Sequence, residues 1–322
     1  MKLSKTQIAI LSLIAANIIW GAASPIFKWS LQDIQPLTLA FLRFALSALI
    51  VLPFVIHRLK IKPEDIATLL FISVICLGLR IGYFMYGLKL AASINAPIIS
   101  SATPIFLIIG SIALFHEKTS KRVMSGTLIG FLGILIIVLQ PVLQDGFNTS
   151  LVGNIFFLVS MALGVIYTLL LKELAPKYHP LTLLFWTFAI ASLALLPFAG
   201  FETVKSGIGT LFDNKALIGI VFAVLFPTIL AYALQGYGLK IITAIEVGLF
   251  SYVDPFVAIA IANPLLGEHV TPAYIIGSVL LFLGIFIAEG RIHYHPLHLL
   301  KQKRSENFSL IPQTQPAPEN SM

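Results

Sequence analysis

The sequence predicts an all-α integral membrane protein: ten transmembrane helices in two inverted five-helix repeats, with both termini cytoplasmic. Three observations predict it. The 322 residues are 58% hydrophobic and only 11% charged, with a mean hydropathy of +0.95, and a soluble chain of this length needs more polar surface than that. Apolar runs of roughly 20 residues, enough to cross a hydrocarbon core of about 30 Å as helix, recur between short polar breaks. The second half of the chain repeats the first.

The ten runs cover about 6–28, 36–56, 66–88, 92–115, 122–140, 151–171, 180–200, 215–238, 243–265 and 270–289. They are continuous rather than alternating, which excludes a β-barrel. The first, with its basic MKLSK start and small GAAS stretch, has features of a signal peptide. Its apolar run continues through Pro25 to Phe27, however, and the repeat needs it as a helix. The single cysteine, Cys76, lies in mid-span and leaves no disulfide framework or cysteine-based metal cluster.

Of the 21 Lys and Arg, fifteen fall on the side of the N-terminus and four (Lys28, Lys89, Lys205 and Lys215) on the other, while Arg43 and Arg80 lie inside spans. This bias puts both termini in the cytoplasm, and the net charge of +7 reflects it rather than nucleic-acid binding. Past Arg291 the chain turns polar and Pro-rich, which reads as a disordered tail whose basic start can rest on anionic lipid. The expected organisation is a first repeat at 1–145, a second at 146–290 and the cytoplasmic tail at 291–322.

The repeat is direct in the sequence. PLTLAFLRFALSALIVLPF, from Pro36, matches PLTLLFWTFAIASLALLPF, from Pro180, without a gap, and YGLKLAASINAPIISSATPIF, from Tyr86, matches YGLKIITAIEVGLFSYVDPFV, from Tyr237. The second match has an offset of 151, which also carries Glu117 onto Glu268 and Gly126 onto Gly277. Five helices per copy is an odd number, so the second copy enters the membrane upside down. Inverted repeats are the architecture of secondary transporters, with substrate sites near the midplane where the repeats meet.

Polar residues in these spans are the candidate site. A charge at the bilayer centre costs at least roughly 2.5 kcal/mol and reads as functional. Glu246 and Asp254 stand in the ninth span; they fall on Asn95 and Thr103 of the fourth, with Pro255 on Pro104. Each proline frees backbone acceptors that a cavity can use. The two acids are about 12 Å apart along a helix and about 80° around it, so both can line one cavity. Arg43 and Arg80 fall on Thr187 and Ala231, so the first half is basic where the second is acidic.

That asymmetry suits a zwitterion, with a carboxylate on guanidinium and an ammonium on carboxylate. The plainer alternative is an ion pair of either arginine with Asp254. Asn17, Tyr86 and Tyr237 complete the expected substrate lining, and Trp20, Tyr83, Tyr167, Trp186, Tyr232 and Gln235 are further aromatic and polar candidates that also suit packing. A buried carboxylate can exchange a proton as substrate binds, and Asp254 is the candidate for it.

Other signals are minor. Gly126 and Gly130 form a GxxxG spacing suited to close helix packing. Thr271 before Pro272 reads as an N-cap followed by proline at the first helical position. Asn148 begins an NTS sequon. The HYHPLH stretch, His293 to His298, suits a membrane surface better than a metal. No nucleotide-binding loop or nucleophile elbow appears, which disfavours an ATP-driven pump.

The LRF of the second span (Leu42 to Phe44), the acids in FHEKTS and LGEHVTP, and the Gly-rich helix after each resemble the EamA family of the drug/metabolite transporter superfamily, over about residues 6–289. Arg43 matches that family's usual arginine, and Glu117 and Glu268 its acids, for which gate or structural roles with Pro104 and Pro255 are expected. Glu246 and Asp254 match no family-wide motif. The resemblance implies a multi-pass protein of the plasma or inner membrane that exports small metabolites such as amino acids by alternating access. It implies no enzymatic activity, cofactor, metal or nucleic acid. Expected partners are a small-molecule substrate, the bilayer and a coupling proton, and the expected state is monomer or homodimer. The rivals are a multidrug or cation exporter, an uncoupled facilitator and a membrane-embedded lipid-modifying enzyme.

Overall fold

A computed structural model describes residues 4–103, 105–106, 121–145, 147–174, 177–239, 241 and 250–289. All regular structure among them is helical. The helices are α1 (Lys5–Ser30), α2 (Pro36–Val55), α3 (Pro63–Leu90), α4 (Asn95–Ser100), α5 (Lys121–Asp145), α6 (Thr149–Leu174), α7 (Pro180–Ser206), α8 (Asn214–Gly238), α9 (Asp254–Leu266) and α10 (Pro272–Glu289). Among the described residues seven helices are long and apolar enough to cross a membrane, and Phe250–Leu266 and Pro272–Ala288 are shorter apolar helices.

Local chemistry sets the helix starts. Ser4 and Gln7 form a reciprocal capping box at α1. Prolines open α2, α3, α7 and α10, where the missing N–H would be unpaired anyway. The Thr271 hydroxyl caps α10 by accepting from Tyr274 N at 3.1 Å. Asn148 is spent in the same way, its Oδ1 accepting from Ser150 N and Leu151 N at the start of α6.

Two expected helices are interrupted. α4 stops at Ser100, and Thr103 Oγ1 donates to the Ser100 carbonyl at 2.7 Å. That carbonyl would otherwise receive the N–H that a proline at 104 lacks. In the second copy a 3-10 turn, Phe250–Val253, precedes Asp254, and α9 starts afresh with Pro255 in its first turn. Residues 107–115 of the first span and 243–249 of the second lie outside the described residues, as do Pro104, Glu117 and Glu246.

The packing pairs obey a pseudo-twofold. α2 packs on α7 and α5 on α10, each against its own equivalent, while α3 on α6 mirrors α8 on α1. The equivalent helices run antiparallel: Thr38 at the start of α2 bonds Glu202 at the end of α7, and Thr182 at the start of α7 bonds the Arg58 carbonyl beyond the end of α2. Glycines let α5 and α10 cross closely. A Cβ on Gly126 would meet the Gly284 carbonyl at 2.6 Å, and one on Gly133 the Gly277 carbonyl at 2.5 Å.

α3 and α8 share a further feature. Each carries a π-helical stretch, Ile72–Leu79 in α3 and Val224–Leu230 in α8, at positions that the offset of 151 superposes. Such widened turns leave carbonyls free and occur at functional sites. Arg80 follows the first stretch directly, and Ala231 follows the second.

Candidate functional site

The site is built around the π-helical stretch of α8. There the Thr228 hydroxyl donates to the Ala223 carbonyl five residues back, at 2.7 Å, and accepts from Arg43 Nε at 2.6 Å. Arg43, only 5% exposed, has its guanidinium 5.4 Å from the Phe27 ring centre and 5.5 Å from that of Phe44. Aromatic contacts continue the wall: Phe44 stacks on Phe188, Phe188 meets Tyr232, and Tyr232 meets Trp20 edge-on at 5.5 Å. Trp20 Nε1 donates to the Pro227 carbonyl at 3.0 Å, another acceptor of the widened turn.

Arg80 approaches from α3. It is half-buried and lies along α6 at Gly164, where a Cβ would stand 3.0 Å from Nε and 3.2 Å from Cζ. Its buried Nε has no hydrogen-bond partner among the described residues. Arg43 is close enough to interact with Tyr232 and Arg80, and the buried Tyr167 of α6 with Tyr232, Thr187 and Arg80. One centre therefore holds two guanidinium groups, three aromatic side chains with polar edges and two threonine hydroxyls, contributed by both repeats.

Among the described residues no carboxylate pairs with either guanidinium. The ion pairs among the described residues are Lys28–Glu268, Lys62–Glu64 and Lys177–Asp65, so the alternative pairing of Arg43 or Arg80 with Asp254 is not formed. Asp254 instead faces α1, where its backbone oxygen would be 2.6 Å from a Cβ on Gly21, and its buried Oδ1 has no partner among the described residues. Gly21 and the Phe27 that meets Arg43 are six residues apart, or about 9 Å along α1.

The other expected lining residues are dispersed. Asn17 is buried one turn before Gly21 and donates to the Leu13 carbonyl at 2.8 Å. Asn95 donates to Asn154 Oδ1, and Asn154 in turn reaches the Ile137 and Val138 carbonyls, which ties α4, α5 and α6 together. Tyr86 donates to Glu202 Oε1 at 2.9 Å, and Tyr237 is exposed on the outside of α8. Glu268 accepts from Lys28 Nζ, the Ser93 hydroxyl and the Ser93 and Ile94 amides just before α4. It is a capping acid at the end of the bundle that carries Lys28.

Three contributors escape a reading of the sequence. Thr228 and Asn154 are ordinary polar residues in apolar runs. Glu202 lies beyond the predicted end of its span, because α7 runs on to Ser206, and it accepts from Thr38 N, Thr38 Oγ1 and Tyr86 Oη. A lone acid after FAGF is the only sequence signal it leaves.

An all-helical bundle of two antiparallel halves, meeting at a basic and aromatic centre, defines a membrane transporter of duplicated design. The chain belongs to the EamA-like transporter family, which matches residues 7–139 and again 151–289. An uncharacterised transporter of Archaeoglobus fulgidus is 29% identical over 269 residues, covering 83% of this chain and 94% of its own. A probable amino-acid metabolite efflux pump of Salmonella typhimurium is 25% identical, covering 84% and 91%. A solved crystal structure superposes at a TM-score of 0.58 and 17% identity, over 87% of this chain and 96% of its own, a likeness of fold alone. Family membership sets the chain among transporters rather than membrane enzymes.

Proposed function

We propose that this protein is a secondary-active exporter of small metabolites such as amino acids, crossing the cell membrane ten times with both termini in the cytoplasm. It works by alternating access, with Asp254 as the proton-carrying group. The observation that carries the reading is the position of the polar centre. Arg43 and Trp20 of the first repeat bond Thr228 and Pro227 of the second, so the site spans the surface on which two inverted halves rock. The efflux-pump names of relatives that align over more than four fifths of the chain favour metabolites as cargo. A basic centre disfavours cationic drugs.

Purified protein in proteoliposomes tests this. Labelled amino acids should enter vesicles preloaded with the same amino acid far faster than empty vesicles, and Asp254→Asn should abolish accumulation driven by a pH gradient while sparing that exchange. Movement of cationic dyes but of no amino acid would refute the cargo. In a Cys76→Ala background, a cysteine replacing Lys205 should label from outside and one replacing Lys177 only after permeabilisation. Reversed labelling would refute the orientation.

A further inference from the structure

The two repeats interchange a large and a small residue at the centre. α1 and α6 each have 26 residues and align at an offset of 144, which puts Trp20 on Gly164, and the offset of 151 puts Arg80 on Ala231. Where α3 meets α6 the bulk is a guanidinium lying over a glycine. Where α8 meets α1 the bulk is an indole, against Tyr232, and the α8 partner position is the buried Ala231. Equivalent places on the pseudo-twofold thus hold a cation and an aromatic plate.

The two arginines are not equally free. Arg43 has committed Nε to Thr228 and lies against two phenylalanine rings. Arg80 rests along the glycine, leaving its buried Nε without a partner among the described residues. Two cations within electrostatic range of each other raise each other's cost, and an anion that accepts from one lowers the cost of both. Arg80 is the group with donors to offer, and a carboxylate matches its fork.

We propose that the centre selects organic anions by their carboxylate, with Arg80 as the receiving guanidinium and Trp20 with Tyr232 as the wall for an apolar, preferably planar body. An α-ammonium is tolerated but not required, since no acid among the described residues pairs with Arg80. This rests on the transporter reading, and binding is measured apart from transport so that the two can fail separately.

The test uses full-length protein in detergent, with thermal unfolding read at about 10 mM of two probes that differ only in the charged group, 3-phenylpropionate and phenethylamine. The anion should raise the unfolding temperature and the cation should not. Arg80→Gln should weaken the anion's apparent affinity at least about tenfold, and Arg80→Lys should restore part of it. Gly164→Ala, which leaves every charge in place but pushes on the guanidinium, should weaken it several-fold. Trp20→Leu should weaken binding while keeping the preference for anion over cation.

If Arg80→Gln does not fold, Gly164→Ala and Arg80→Lys carry the test. Equal stabilisation by both probes, no stabilisation by 3-phenylpropionate, or undiminished binding in both Arg80→Gln and Gly164→Ala would overturn the proposal. Arg80-dependent binding without movement in proteoliposomes would instead count against the transporter reading and leave the site standing.

Discussion

The charges at the end of the bundle that carries Lys28 and the charges at its centre are handled in opposite ways. At the end, Glu268 and Glu202 each accept three or more hydrogen bonds, including backbone amides near the starts of α4 and α2. At the centre, Arg43 has one hydrogen bond and Arg80 has a buried nitrogen with none among the described residues. Satisfied charge fixes helices, and unsatisfied charge is a standing demand for a ligand. Removing the first kind should cost stability, and removing the second should cost binding.

The largest stability effect should come from Glu202→Ala, which strands the buried Thr38 amide and the part-buried Tyr86 hydroxyl; a loss of about 3 kcal/mol is expected in reversible unfolding. Glu202→Gln retains one acceptor and should lose about half as much. Next is Gly133→Ala, whose Cβ would meet the Gly277 carbonyl at 2.5 Å and force α5 from α10, at about 1–3 kcal/mol. Arg80→Leu should fall within about 1 kcal/mol of wild type or be more stable, because it removes a charge that nothing pays back in the unliganded protein. A large destabilisation there would show that the Arg80 charge holds the bundle together.

The smallest effect belongs to Lys177, outside the spans, whose ammonium is raised above its ordinary value chiefly by its hydrogen bond to Asp65. Because the folded value is the higher one, its contribution is complete at neutral pH and is lost as pH rises through that value. Lys177→Met should therefore be slightly less stable than wild type at neutral pH, and the difference should vanish as pH rises through that value and again as acid protonates Asp65, whose carboxyl Lys177 holds below its ordinary value.

Much of this arrangement is legible in the sequence, for identifiable reasons. Hydropathy locates the helices because lipid tolerates little else, and the paired prolines at 36 and 180 and the paired glycines at 126 and 277 mark starts and crossings that recur in both copies. Arg43 and Arg80 stand out because buried charge is costly. Asn95 and Thr103 stand out equally, yet one bridges to Asn154 and the other fills a carbonyl left open at a helix break. A polar residue beside a proline serves the interrupted backbone as readily as a ligand. Glu202 is hidden because its partners, Thr38 and Tyr86, lie 164 and 116 residues away. The exchange of Trp20 with Gly164 and of Arg80 with Ala231 takes on meaning only once α1 is seen to meet α8, and α3 to meet α6.

The most direct test of the division between structural and functional charge is a paired measurement of unfolding temperature and 3-phenylpropionate affinity in Glu202→Gln and Arg80→Gln. Glu202→Gln should unfold earlier and bind as wild type does, while Arg80→Gln should unfold with wild type and bind at least about tenfold more weakly. A fall in unfolding temperature of similar size in both variants, with affinity retained in Arg80→Gln, would contradict that division.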